Sequence, residues 1–149
     1  MAAAVSAAAL EVWAAELDAL AGSRVGLVGH SMGSVIAVDL LVSDQRKLSW
    51  LLTLGSPLGF NAVRAKLGFT PDQFATLKGL VPRWDNLYDS IDVVSLDSEL
   101  ADDLPAAAPN DLAVRNEFVN QAGRRNHHAL YGFLAHQETG ALVGGFFNG

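Results

Sequence analysis

Apolar and polar positions divide this chain into alternating helix-like and strand-like blocks. Leu10, Trp13, Leu17 and Leu20 recur at helical spacing, with Glu11, Glu16 and Asp18 on other faces. That spacing predicts an amphipathic helix in the Ala-rich start, ended by Gly22-Ser23. Residues 24–28, Arg-Val-Gly-Leu-Val, form a short apolar run rich in strand formers, and residues 34–42 are apolar for long enough to make a buried helix. After a polar break at 43–47, residues 48–54 read as a buried strand stopped by Gly55-Ser56-Pro57. Strand, helix and strand in this order form a βαβ unit, which predicts a parallel sheet with helices on both faces.

The pattern loosens over residues 59–82. A short helix is expected at 61–67, and a second opens at Thr70-Pro71-Asp72, with Thr70 as cap and Pro71 at the first helical position. Residues 83–88 read as a third strand, 89–94 as a loop, and 95–110 as a polar, Pro-broken excursion. Residues 112–119 read as the last strand, because Arg115 and Glu117 alternate with apolar neighbours. A break at 123–126 precedes a helix expected over 128–136, carried by Leu130, Phe133 and Leu134. The tail 140–149, with four glycines and two phenylalanines, predicts no element, and there is no internal repeat. The expected fold class is α/β: a three-layer sandwich with a mostly parallel sheet, built as one domain over 1–149.

Composition narrows the function classes. Half of the 149 residues are hydrophobic, which suits a packed core and argues against disorder. Sixteen acidic against ten basic side chains give a net charge of −6, and no basic cluster exceeds Arg46-Lys47 or Arg124-Arg125. A nucleic-acid surface is therefore not expected. The chain has no cysteine, so disulfides and thiolate metal sites are excluded while the redox compartment stays open. Without cysteine or an H-x-x-x-H spacing, no metal site is expected, and no cofactor is implied. The Ala-rich start lacks a basic residue ahead of its apolar stretch, so it does not read as a secretory leader. No apolar run is long enough to cross a bilayer, and the expected location is cytoplasmic.

Chemistry centres on Gly29-His30-Ser31-Met32-Gly33, which lies between a predicted strand and a predicted helix. A glycine-rich βα turn with an incidental serine would share the bare G-x-S-x-G pattern. The flanking elements favour a nucleophile elbow, in which a strained serine stands clear of a parallel sheet. Side chains at Gly29 or Gly33 are expected to collide with backbone at the turn. A serine hydroxyl needs a base, and the base an orienting acid, in the chain order Ser, Asp, His. Asp92 follows the strand 83–88, and His128 follows the last strand at the opening of the last helix. Both fall at the carboxyl edge of the sheet with Ser31. Asp85, Asp89 and Asp97 remain alternative acids, Asp89 if the loop is one turn shorter, and His127 competes with His128. His30 is expected to pack beside the elbow, and His136 to lie exposed at a helix end. The Met32 backbone N–H is a candidate oxyanion donor.

These stretches resemble the carboxyl-terminal part of an α/β-hydrolase of the esterase/lipase type. The resemblance rests on residues 25–33, Thr53-Leu54-Gly55-Ser56-Pro57, Trp84-Asp85-Asn86-Leu87-Tyr88 with Asp92-Val93-Val94, and His128-Ala129-Leu130-Tyr131. It implies Ser31 as nucleophile, His128 as base and Asp92 as its orienting acid. It also implies a carboxylic ester substrate, lipid esters among them. Similar enzymes have several strands before the elbow, and a loop after one of them supplies the second oxyanion donor. Here one helix precedes the serine strand. A fragment, a compact form that closes its sheet against another copy, and a scaffold without catalysis are all consistent with that. The stretch 59–82 reads as a specificity-setting lid, with Phe60, Phe69 and Phe74 as candidate walls or core residues.

Overall fold

A computed structural model of the chain describes residues 6–95 and 99–149. The first five residues and the candidate acid Asp97 lie outside that range. In chain order the elements are α1 (Ala7–Ala19), β1 (Gly26–His30), α2 (Met32–Asp44), β2 (Trp50–Leu54), a 3-10 turn at Pro57–Gly59, α3 (Asn61–Leu67), α4 (Pro71–Leu80), β3 (Trp84–Tyr88), α5 (Leu100–Asp103), β4 (Asn110–Ala113), α6 (Leu130–Leu134) and α7 (Gln137–Asn148). The four strands form one sheet in the order β1-β2-β3-β4, and every pair is parallel.

Strand pleating sorts the core into two clusters. Leu51 and Trp84 join Val35, Val38, Leu41, Phe74, Leu77 and Leu100 from the helices α2, α4 and α5. The alternate positions Trp50, Leu52, Leu54 and Leu87 join Phe133 of α6 and Phe146 of α7. Successive side chains on a strand point to opposite faces, so helices cover the sheet from both sides. Each fully buried Leu contributes roughly 1.5–3 kcal/mol relative to leaving it exposed. Polar side chains inside this core are paired across strands. Asp85 accepts from Trp50 Nε1, Arg83 Nε and Asn110 Nδ2 at 2.7, 2.7 and 2.8 Å. Thr53 Oγ1 donates to Asn86 Oδ1 at 2.8 Å, and Asn86 Nδ2 donates to Asp111 at 2.7 Å. Asp85 is thus a strand residue spent on cross-strand bonds, not an acid available to a loop.

Local chemistry explains most boundaries. Thr70 and Gln73 form a reciprocal capping box at the start of α4, with Pro71 in its first turn. In α1, Trp13 and Leu17 pack partly on the core and Trp13 Nε1 reaches Asp44 at 3.0 Å, whereas Leu20 is 44% exposed and only caps the helix.

Three expectations are corrected. The last strand ends at Ala113, not at 119. Beyond Val114, the Asn116 N–H turns away from strand pairing to the Asp89 carboxylate at 2.8 Å, so the alternation at 115–117 belongs to a segment outside the sheet. The helix expected over 128–136 covers only Leu130–Leu134, because the Asn126 side chain holds the His128 N–H in the preceding loop. The tail is a helix, Gln137–Asn148, despite Gly140, Gly144 and Gly145. Each interior glycine costs roughly 1 kcal/mol against Ala. Burial of Phe146, stacked on Trp50 at 5.2 Å between ring centres, offsets much of that.

Candidate active site

The turn between β1 and α2 places Ser31 at φ 53° and ψ −129°. These angles match the first central position of a type II′ turn, which favours glycine. Several bonds hold the chain there. The Ser31 N–H donates to Leu54 C=O at 3.0 Å, and Ser34 Oγ donates to Ser31 C=O at 2.6 Å. Ser56, just beyond β2, meets Ser34 Oγ at 2.7 Å. Gly29 behaves as expected: a Cβ there would stand 2.7 Å from Ser34 Cα and 2.9 Å from Gly33 O. Gly33 does not, because a Cβ there would meet nothing within 4 Å. A side chain at this place in the first turn of α2 would enter open space.

Ser31, His128 and Asp92 form one hydrogen-bonded chain. His128 Nε2 lies 2.8 Å from Ser31 Oγ, and His128 Nδ1 lies 2.7 Å from Asp92 Oδ2. An ionised carboxylate only accepts, so it selects the neutral tautomer with the proton on Nδ1 and turns the Nε2 lone pair to the hydroxyl. Asp92 is 1% exposed and also accepts from the Val94 N–H and from Ser95 Oγ, each at 2.9 Å. Ser31 and His128 are half-buried, within reach of a small molecule. Gly55, at the end of β2 with φ 53°, lies beneath the His–Asp contact. A Cβ there would stand 3.2 Å from both Asp92 Oδ2 and His128 Nδ1 and 3.0 Å from Phe133.

Met32 opens α2 next to Ser31. Its N–H belongs to the first turn, where helix N–H groups have no intrahelical acceptor and the dipole favours negative charge. Among the described residues no strand precedes β1.

The other histidines separate clearly. His30 packs against Phe133, with ring centres 6.0 Å apart, and its Nε2–H donates to His128 C=O at 2.8 Å. Burial, the largest influence, pulls its pKa below the usual imidazole value and favours the neutral ring. His127 turns its Nδ1 to Asp89 Oδ2 at 2.9 Å, so the alternatives Asp89 and His127 pair with each other. His136 is not a free residue at a helix C-terminus; it caps the N-terminus of α7, accepting from the Glu138 N–H at 3.3 Å.

The lid expectation also changes. Phe69 and Phe74 meet edge to face at 5.5 Å and line a cavity of about 530 Å³ with Arg64 and Leu104. None of Ser31, Asp92 and His128 lines that cavity. Sequence reasoning missed Gly55, Ser95 and the Asp89–His127 pair; only the run Gly-Ser-Pro after a buried strand hinted at the first. Among the described residues no cluster of three or more His, Asp or Glu could hold a metal ion, and no helix is long and apolar enough to cross a membrane. Comparison with family models, with curated proteins and with solved structures gives no match to this chain.

Proposed function

We propose that this chain is a serine hydrolase that cleaves carboxylic esters, an α/β-hydrolase-like domain of the esterase/lipase type. One observation carries the reading. A single imidazole meets the elbow serine at 2.8 Å through Nε2 and a buried carboxylate at 2.7 Å through Nδ1. Ser31 Oγ attacks the ester carbonyl carbon while His128 Nε2 takes its proton. Asp92 orients the ring and stabilises the imidazolium. The Met32 N–H donates to the tetrahedral oxyanion. Collapse expels the alcohol, which leaves with the proton from Nε2, and Ser31 is acylated. Water then attacks the acyl-enzyme with its proton going to His128, and the acid departs as Ser31 recovers its hydrogen.

The second reading is a scaffold without turnover. A fluorophosphonate probe separates the two, because Ser31 Oγ displaces its fluoride without needing a complete catalytic cycle. Labelling of the folded chain that disappears in Ser31→Ala supports the hydrolase. Folded protein that stays unlabelled overturns it and leaves the scaffold.

A further inference from the structure

Asp89 is 2% exposed and sits where three chain segments meet. Its Oδ1 accepts from the Ile91 N–H at 3.1 Å, and its backbone C=O accepts from the Asp92 N–H at 2.9 Å. Its Oδ2 accepts from the Asn116 N–H at 2.8 Å and from His127 Nδ1–H at 2.9 Å. Asn116, fully buried, sends Nδ2 to Ala129 C=O at 2.8 Å. The residue before His128 and the residue after it are therefore both tied to this one carboxylate, one directly and one through Asn116. The same carboxylate fixes the turn that presents Asp92.

We infer that Asp89 and His127 are positioning residues for the proposed hydrolysis: a second carboxylate–imidazole pair, parallel to Asp92–His128, that sets the distance between acid and base. The inference rests on the hydrolase reading of Ser31, Asp92 and His128. His127 touches no reacting atom in it. Its part is to give one N–H to a buried oxygen, and through that bond to keep the His128 peptide in place. Short, well-aligned contacts at 2.7 and 2.8 Å need such a frame, since a displacement of about 1 Å at a reacting group can cost on the order of 10²-fold in rate.

The test compares His127→Asn with His127→Phe in the full chain. The Asn amide nitrogen stands close to where Nδ1 stood and can donate to Asp89; the Phe ring cannot. Two quantities are read on folded protein: the rate of fluorophosphonate labelling at Ser31, and the low-field resonance of the His128 Nδ1–H in ¹⁵N-histidine-labelled protein. The expected result is labelling slowed on the order of tenfold to a hundredfold in His127→Phe, with that resonance moved or lost. His127→Asn is expected to keep most of both. A folded His127→Phe that labels like the parent and keeps the resonance overturns the inference. So does a His127→Asn as slow as His127→Phe, which would make the loss one of shape alone. Should the parent chain itself not label, the hydrolase reading fails separately, and the resonance decides the positioning: unmoved in His127→Phe, it is overturned. If His127→Phe does not fold, His127→Ala takes its place with the same two readouts.

Discussion

β1 and β2 are neighbouring strands of equal length, yet they live in different surroundings. All five residues of β2 are buried, as are all five of β3, whereas β1 has one buried residue, and Val28 at its centre is 47% exposed. β1 lies at the edge of the sheet, and it is the strand that carries the elbow. Asp92 and Gly55 hang from the interior strands instead. The contrast teaches that the two sides of the candidate site are secured differently. The Asp92 side is held by core packing around β2 and β3, and the Ser31 side by backbone fit at a single turn. An uncovered parallel edge is also a pairing template, which interior strands are not.

The sharpest way to break that contrast is at the turn. Gly29→Ala forces a Cβ to within 2.7 Å of backbone and is expected to destabilise by about 3 kcal/mol or more, with loss of Ser31 labelling. Gly33→Ala, four residues on, is expected to be neutral or to gain up to about 1 kcal/mol from helix propensity. Denaturant midpoints of the two variants check both, and equal losses would refute the local-fit account.

Packing gives the next largest effect. Leu52→Ala in β2 removes a fully buried side chain and should cost about 2–5 kcal/mol. Its registered partner in β1, Val28→Ala, should stay within about 0.5 kcal/mol. Similar losses at both positions in urea unfolding would mean that β1 is covered in solution.

The smallest effect is a pH dependence at His30, where β1 meets the His128 carbonyl. Burial lowers its pKa in the folded state, so the unfolded chain binds the proton more readily. Stability from this group is present above the ordinary imidazole value of about 6.5 and is lost as pH falls from there through the lowered value. His30→Gln keeps a donor for the His128 carbonyl without titrating near pH 6. The fall in unfolding midpoint between pH 7 and pH 5 should therefore be shallower in that variant. An unchanged slope would assign the acid sensitivity elsewhere.

What was legible in the chain was what is local. The elbow, the buried β2 and the Thr70 cap each depend on residues within a few positions of one another. Each lies where its pattern stands, although β2 begins only at Trp50 and a side chain at Gly33 would meet nothing within 4 Å. The order of Ser31, Asp92 and His128 could be read, but choosing among neighbouring acids and histidines needed distances across 36 and 97 positions. Residues 114–119 alternate like a strand, yet Asn116 is claimed by Asp89, a contact 27 positions away that no periodicity encodes. α7 was hidden by its glycines, because the force that winds it is the seat of Phe146 on Trp50 rather than propensity.

The backbone angles at Ser31 bear on any attempt to toughen this protein. A residue without a Cβ would rest more easily at φ 53° than serine does, so the substitution that best relieves the kink also deletes the hydroxyl. Ranking variants by heat resistance alone would reward molecules that have lost this hydroxyl, and a screen for hardiness has to check that Ser31 is kept alongside melting.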